Sequence, residues 1–414
     1  MSGVAIPLAS PVHRREYYEE SLRALSQELK SLGFEVTGIV DSLGKAREVG
    51  AQHREDVVLL VFLTGGTSRL ARAVIGSHRL HGVLGLCQGL HNSLPSAISA
   101  MARARVAGRD VVLYYCDEFR RPCTEELERL GRVASAISAL WGMRVGVISD
   151  AEVGEARDFE ERFGAKVERV GQDALRAYVE KAPPELVSEG RERLERALSL
   201  KETEVGKLAR VLRVYAGIKK LAEDRGYTAV TVDCFPFIRR TGVTPCLALA
   251  LLNSEGVVAA CEADLTGTVL MLLARALTGR SGWMANPSAI RGNKLVLAHC
   301  TAALDLIEKG SVVTHFETGS PYSAAASFPG GTYTIASLSY DFRGLAISSG
   351  RLEESGMLSA GRCRTQAVFR LEEGAAEVLE KAPANHHIVM RGNVLRELGE
   401  IARVFGLRVL KYGG

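Results

Sequence analysis

At 414 residues the chain is too long for one ordinary core, and roughly 150 residues per domain gives two or three domains. Hydrophobic content of 47% with 24% charged residues is the balance of a soluble globular protein. Fifty-two basic against 48 acidic residues leave only +4, and basic runs such as RERLER (191–196) are interleaved with Glu, which argues against a dedicated nucleic-acid binder.

The longest apolar runs, VVLLVFL (57–63) and CLALALL (246–252), are far too short to span a bilayer, so no membrane partner is expected. The amino-terminal stretch shows no basic segment followed by an apolar run, so no secretory signal is expected. Eight cysteines occur with no CxxC and no regular framework. They read as mostly buried thiols in a reducing, cytoplasmic setting.

In chain order, GVAIPLA (3–9) is strand-like, and 15–33 repeats apolar positions at helical spacing before a glycine. FEVTGIV (34–40) and VVLLVFL are further strands, the second apolar throughout, as a parallel sheet covered on both faces requires. TGGTSRL (64–70) is a glycine turn opening a helix; it resembles a phosphate-binding turn without the lysine. HGVLGL (81–86), a helix over 92–108 and DVVLYY (110–115) continue the βαβ rhythm. A helix over 124–139 leads into a second such unit: strand 143–149, helix 151–164, strand 165–170, then one long helix or two over 183–226. Strand 227–235, helix 244–256, strand 257–264 and helix 265–279 follow, placing Glu262 at a strand's carboxyl end, where ligands gather in open α/β sheets. From about 280 short β-like runs dominate, punctuated by Gly, Pro, Ser and Asn and closed by a helix over 394–406. The fold class is therefore α/β: two doubly wound parallel-sheet domains (1–118 and 119–278, the second carrying Glu262) followed by a β-rich carboxyl-terminal domain (279–414).

The common nucleotide, zinc-protease and hydrolase fingerprints are missing. Four of the nine histidines, His299, His315, His386 and His387, fall in the β-rich third. Adjacent histidines on a strand point to opposite faces, so at most one of His386 and His387 serves a given site. Carboxylate oxygens with imidazole nitrogens suit an Mn²⁺- or Mg²⁺-like ion. Asp264, just before LTGTVLML, is placed to cap a helix, and Asp233 is a further acid at a strand end. His315 and Glu317 in THFE are alternately spaced and could share a face.

Several segments together, VTVDCFPFI, TPCLALALLN, CEADLTGTVLMLL, WMANPS, LVLAHCT, THFETGSP, GRCRTQ and NHHIVMRGN, resemble the L-fucose isomerase and L-arabinose isomerase superfamily, in its shorter fucose-isomerase-like branch. The resemblance runs over nearly the whole chain and is most specific over 228–301. It implies an aldose–ketose isomerase acting on a small-molecule sugar, a pentose or deoxyhexose, through an enediol, with Mn²⁺ or another divalent cation. It also implies a homotrimer or homohexamer with a neighbour's first domain over the pocket. Carried over, the metal ligands fall on Glu262, Asn286 and His386 or His387, and catalysis on Glu262 and Asn286. Sugar contacts fall on Trp283, His299, Arg362 and Arg364; Trp283 reads equally as core, and the arginines equally as salt-bridge partners. Asn286 stands where the family has a second acid, and an amide cannot abstract a proton at neutral pH. Ser68 and Ser99 stand where related chains often carry Glu. The alternative reading is a sugar-binding or regulatory paralogue with reduced catalysis, or a lyase or epimerase on the same scaffold.

Overall fold

The structure, a computed structural model, describes residues 3–78, 82–372 and 374–412. The chain forms two compact units, Met1–Ala139 with Glu397–Leu407, and Leu140–Arg396 with Arg408–Gly414.

The first unit alternates β1 (Gly3–Leu8), α1 (Arg15–Ser31), β2 (Phe34–Val36), α2 (Leu43–Gln52), β3 (Val58–Phe62), α3 (Ser68–Ser77), β4 (Val83–Gln88), α4 (Ser93–Val106), β5 (Val112–Cys116) and α5 (Thr124–Trp141). His81, which begins the HGVLGL run, lies outside the described residues. The strands are all parallel in the order β2-β1-β3-β4-β5, the doubly wound arrangement. Every residue of β3 is buried, which is why its sequence is apolar without alternation. The TGGT turn between β3 and α3 is occupied by the protein itself. Gly65 N–H donates to the His91 carbonyl at 2.7 Å, Thr67 Oγ1 lies 3.0 Å from Ser96 Oγ, and Gly66 takes φ +74° where a side chain would meet Ser10. Ser68 Oγ donates to Ser99 Oγ at 3.2 Å, so the two serines satisfy one another.

The second unit opens with β6 (Arg144–Ile148), α6 (Ala156–Phe163), β7 (Lys166–Val170), α7 (Gln172–Glu180), α8 (Pro184–Ala197), α9 (Val205–Arg225), β8 (Ala229–Val232), α10 (Cys234–Thr241), α11 (Cys246–Glu255), β9 (Val258–Cys261) and α12 (Leu265–Thr278). The long 183–226 run is two helices: Pro184 sits at the first turn of α8, where its missing N–H costs nothing, and α9 ends at Gly226 in the left-handed region. The four strands are parallel in the order β7-β6-β8-β9.

The β-rich part comprises β10 (Trp283–Arg291), β11 (Lys294–His299), β12 (Lys309–Val313), β13 (Ser323–Ser327), β14 (Thr332–Leu338), β15 (Gly344–Gly356), β16 (Thr365–Leu371), α13 (Val378–Lys381), β17 (His387–Arg391), α14 (Leu395–Val404) and β18 (Arg408–Lys411). Strands run in the order β14-β17-β10-β11-β16-β15, and β14 also pairs with β15, closing a six-stranded antiparallel barrel to which β18 adds in parallel on β15. Closure removes the sheet edges. Trp283, Leu295, Leu297, Tyr333, Ile335 and Phe369 are among the residues of its core. The terminal helix α14, from Glu397 on, belongs to the first unit.

The cysteine expectation needs correction. Cys116 is joined to Cys123 and Cys234 to Cys261, leaving Cys87, Cys246 and Cys300 as buried thiols and Cys363 partly exposed. Neither pairing is legible as spacing, because Cys234 and Cys261 meet only once β8 and β9 lie side by side. Among the described residues no helix is long and apolar enough to cross a membrane.

Candidate active site

Ser149, Asp233 and Glu262 each directly follow one of three adjacent parallel strands, β6, β8 and β9, and all three line one cavity of about 280 Å³. Ser149 Oγ donates to Asp233 Oδ2 at 3.0 Å. Beyond β9 the chain turns sharply: Glu262 and Ala263 take φ +60° and +54°, left-handed values that cost a side-chain-bearing residue about 1 kcal/mol or more each. Ala263 N–H donates to the Val232 carbonyl (3.2 Å), which ties the strained turn to β8. The turn delivers Asp264 to the head of α12, where Oδ1 accepts from Thr266 N–H at 2.7 Å.

The β-barrel part supplies the imidazoles. His386, just ahead of β17, places Nδ1 2.7 Å from Asp264 Oδ2 and Nε2 3.6 Å from Glu262 Oε2. His299, the last residue of β11, sets its ring 5.9 Å from that of His386, edge on. One ligand atom from each of Glu262, His299 and His386 lies within 4.8 Å of the others. His386 Nε2 and His299 Nδ1 are buried without a hydrogen-bond partner, which leaves both nitrogens open to a ligand.

Electrostatics follow from this geometry. Burial alone would depress His386, but the hydrogen bond to Asp264 and the nearby charge of Glu262 overcome it and raise the ring to about 9. The same contact with His386 holds Glu262 below the usual carboxylate range. Burial raises Asp264, and its bonds to His386 and Thr266 more than offset this, keeping it ionised. His299, desolvated and beside His386, falls to about 4 and is neutral. The set is therefore an ionised carboxylate, a neutral imidazole and an imidazolium whose proton a cation could displace.

The remaining expected site residues are distributed as follows. His387 points away from the cavity, its Nε2 3.0 Å from Tyr412 Oη and its ring stacked on that tyrosine. Trp283 is buried in the barrel core, donating to the Thr301 carbonyl at 2.8 Å and packed on Phe328. Asn286 Oδ1 accepts from Asn385 Nδ2 at 3.2 Å, and Asn385 itself lines the cavity. Arg364 donates to the Thr314 carbonyl (2.9 Å) and lies over Phe316; Arg362 is half-buried. His315 lies 3.9 Å from Glu317. The sequence reading passed over Ser149, Tyr340 and Asn385 in the cavity wall, and the carboxylate–imidazole bond between Asp264 and His386. The only signal for that bond was the ExD spacing beside a strand end.

No family model matches the chain. Its curated relatives agree with one another. A sulfoquinovose isomerase of Alkalicoccus urumqiensis is 22% identical over 307 residues, 69% of each chain. One of Priestia aryabhattai is 23% identical over 309 residues, 70% of this chain and 68% of the relative. One of Clostridium sp. (strain MSTE9) is 26% identical over 230 residues, 52% of this chain and 51% of the relative. The chain is similar to sugar isomerases.

Proposed function

We propose that the chain is a metal-dependent aldose–ketose isomerase that moves a proton between C1 and C2 of a neutral pentose or deoxyhexose. The enzyme is a sugar isomerase in kind, on the agreement of its four relatives. The finer reading is carried by one observation, the convergence of Glu262, just beyond parallel strand β9, with His299 and His386 from the barrel.

A carboxylate oxygen with two imidazole nitrogens suits Mn²⁺ or a similar divalent ion, and Glu262, His299 and His386 would hold it. Bound there, such an ion would supply Lewis-acid polarisation of a carbonyl oxygen and compensation for developing negative charge. Asp264 holds the His386 ring in place through Nδ1, leaving Nε2 toward Glu262 at 3.6 Å. Glu262, ionised because of His386, takes the C2 proton of the open-chain aldose and returns it to C1. The carbonyl shifts from C1 to C2 as the hydroxyl proton passes from O2 to O1, so atoms balance with no oxidant. Asn286 would contribute a hydrogen bond, through its contact with Asn385, rather than a second base.

The relatives are named for a sulfonated sugar, yet this cavity favours an uncharged one. Glu152, Glu155, Asp233, Glu262 and Asp264 line it, and no Lys or Arg is among the described lining residues. A homotrimer or homohexamer in the cytoplasm belongs to the same proposal, with light scattering as its check.

The test is exchange of the C2 hydrogen in deuterated water with Mn²⁺ supplied. Wild type exchanges a pentose or deoxyhexose, and Glu262→Gln loses about 10²–10⁴-fold, the range for removing a general base. No exchange across a panel of such sugars would overturn the reading; turnover of sulfoquinovose alone would overturn its neutral-substrate part.

A further inference from the structure

Asp233 stands at the head of α10, where an aspartate ordinarily accepts from the free N–H groups of the first turn, yet its side chain makes no capping bond. Instead Oδ2 accepts from Ser149 Oγ at 3.0 Å, and no ion pair or second hydrogen bond holds the carboxylate among the described residues. Oδ1 is left unengaged on a half-buried group that lines the cavity. Asp264 shows the contrast, because its two oxygens are taken by Thr266 and His386. The backbone of Asp233 is nonetheless fixed: its N–H donates to the Ile148 carbonyl at 2.9 Å, and its carbonyl accepts from Phe237 N–H at 3.2 Å. The fold holds this carboxylate in place without using it for capping or charge pairing.

Its neighbour across the sheet is Glu262. Strands β8 and β9 pair in parallel as far as Val232 opposite Cys261, so Asp233 and Glu262 are the next residues on adjoining strands, and the Cys234–Cys261 disulfide joins the same two chain ends. Both carboxylates line the one cavity. An aldose–ketose interconversion moves two protons, one from C2 to C1 and one from O2 to O1. Glu262 accounts for the first. Asn286 cannot carry the second, because an amide neither takes nor gives a proton at neutral pH.

We infer that Asp233 is the second acid–base residue of the reaction, carrying the hydroxyl proton while Glu262 carries the carbon-bound one. The inference rests on the isomerase reading and assigns the step which that reading leaves without a carrier. As Glu262 takes the proton from C2, the C–H electron pair forms the C1–C2 double bond and the carbonyl pair moves to O1. Asp233 takes the proton of the O2 hydroxyl and passes it to O1. The O2 electron pair then forms the new carbonyl at C2, and C1 recovers the proton held by Glu262. Both carboxylates end ionised as they began, and no oxidant or reductant is consumed. Ser149, donating to Oδ2, fixes the orientation of the carboxylate and leaves Oδ1 for the sugar oxygens.

The test compares two rates in the full chain with Mn²⁺ supplied: ketose formation, and exchange of the aldose C2 hydrogen in deuterated water. Asp233→Asn keeps an acceptor for Ser149 and should melt as wild type does. Its ketose formation should fall about 10²–10⁴-fold. Its C2 exchange should fall far less, because Glu262 still removes the proton and the enediol intermediate, unable to pass its hydroxyl proton on, returns to aldose. The ratio of exchange to ketose formation should therefore rise about tenfold or more, whereas Glu262→Gln loses both rates together. The assignment is overturned, with the isomerase reading intact, if Asp233→Asn forms ketose within about threefold of the wild-type rate or loses both rates in equal proportion. Absence of both exchange and ketose formation in wild type across a panel of pentoses and deoxyhexoses would overturn the isomerase reading and the role of Asp233 with it.

Discussion

Asp264 serves two neighbours with its two oxygens, one on the Thr266 amide at the head of α12 and one on His386 Nδ1. The two roles separate by substitution. Asn is as good an N-cap as Asp, so Asp264→Asn should keep the cap. It should still lower the melting temperature of the cation-free protein below about pH 9, where the carboxylate stabilises the buried His386 imidazolium. It should also reduce Mn²⁺ affinity about 10–100-fold, the usual effect of losing a carboxylate behind a ligating histidine. Asp264→Ala should add a stability loss of about 1 kcal/mol from the missing cap. His386 makes a second prediction. Folding raises it from 6.5 to about 9. In the cation-free protein its contribution to stability is therefore complete below about pH 6.5 and is lost as pH rises through about 9. A cation requires the neutral ring, so Mn²⁺ uptake near pH 8 should release close to one proton per chain, read from calorimetry in buffers of different ionisation enthalpy. No proton release would show that His386 is not a ligand.

At the level of elements, the site is a meeting of two kinds of strand. Parallel strands β6, β8 and β9 present their carboxyl ends, where a residue is freed from the sheet, and Glu262 is swung round by a left-handed turn. Antiparallel β17 alternates its side chains, so His386 and His387 diverge, one to the cavity and one to Tyr412. Trp283, on β10, is part of the barrel core. Trp283→Phe keeps the ring but leaves the buried Thr301 carbonyl unpaired, and should cost about 1–3 kcal/mol in denaturant unfolding with KM unchanged. A raised KM at unchanged stability would instead place this residue against substrate.

Across the whole molecule, the returning tail is the least expected feature. From Glu397 the helix α14 completes the first unit, where Glu400 accepts from Tyr114 Oη at 2.7 Å and Arg129 Nε at 3.1 Å. The Arg129 and Glu400 side chains are only 5% and 11% exposed. Arg129 keeps its paired contact with Glu126 when Glu400 is removed, so Glu400→Ala loses the bonds to Tyr114 and Arg129 without stranding the arginine and should cost about 1–3 kcal/mol in equilibrium unfolding. A loss above about 3 kcal/mol would mean that Glu126 alone does not satisfy the arginine.

Local periodicity carries local information, and the sequence by itself determined what such information can. The unbroken apolar run at 57–63 demands a covered parallel strand, the spacing after Asp264 demands a helix, and the short punctuated runs beyond 280 demand an antiparallel β domain. Tertiary structure alone decided which distant groups meet: Cys234 with Cys261, His386 rather than His387 with Asp264, and Glu400 with Arg129. The physical reason is that a side chain's partner depends on register between strands and on the sense of a turn, and those are settled by packing of the whole core rather than by any run of neighbouring residues.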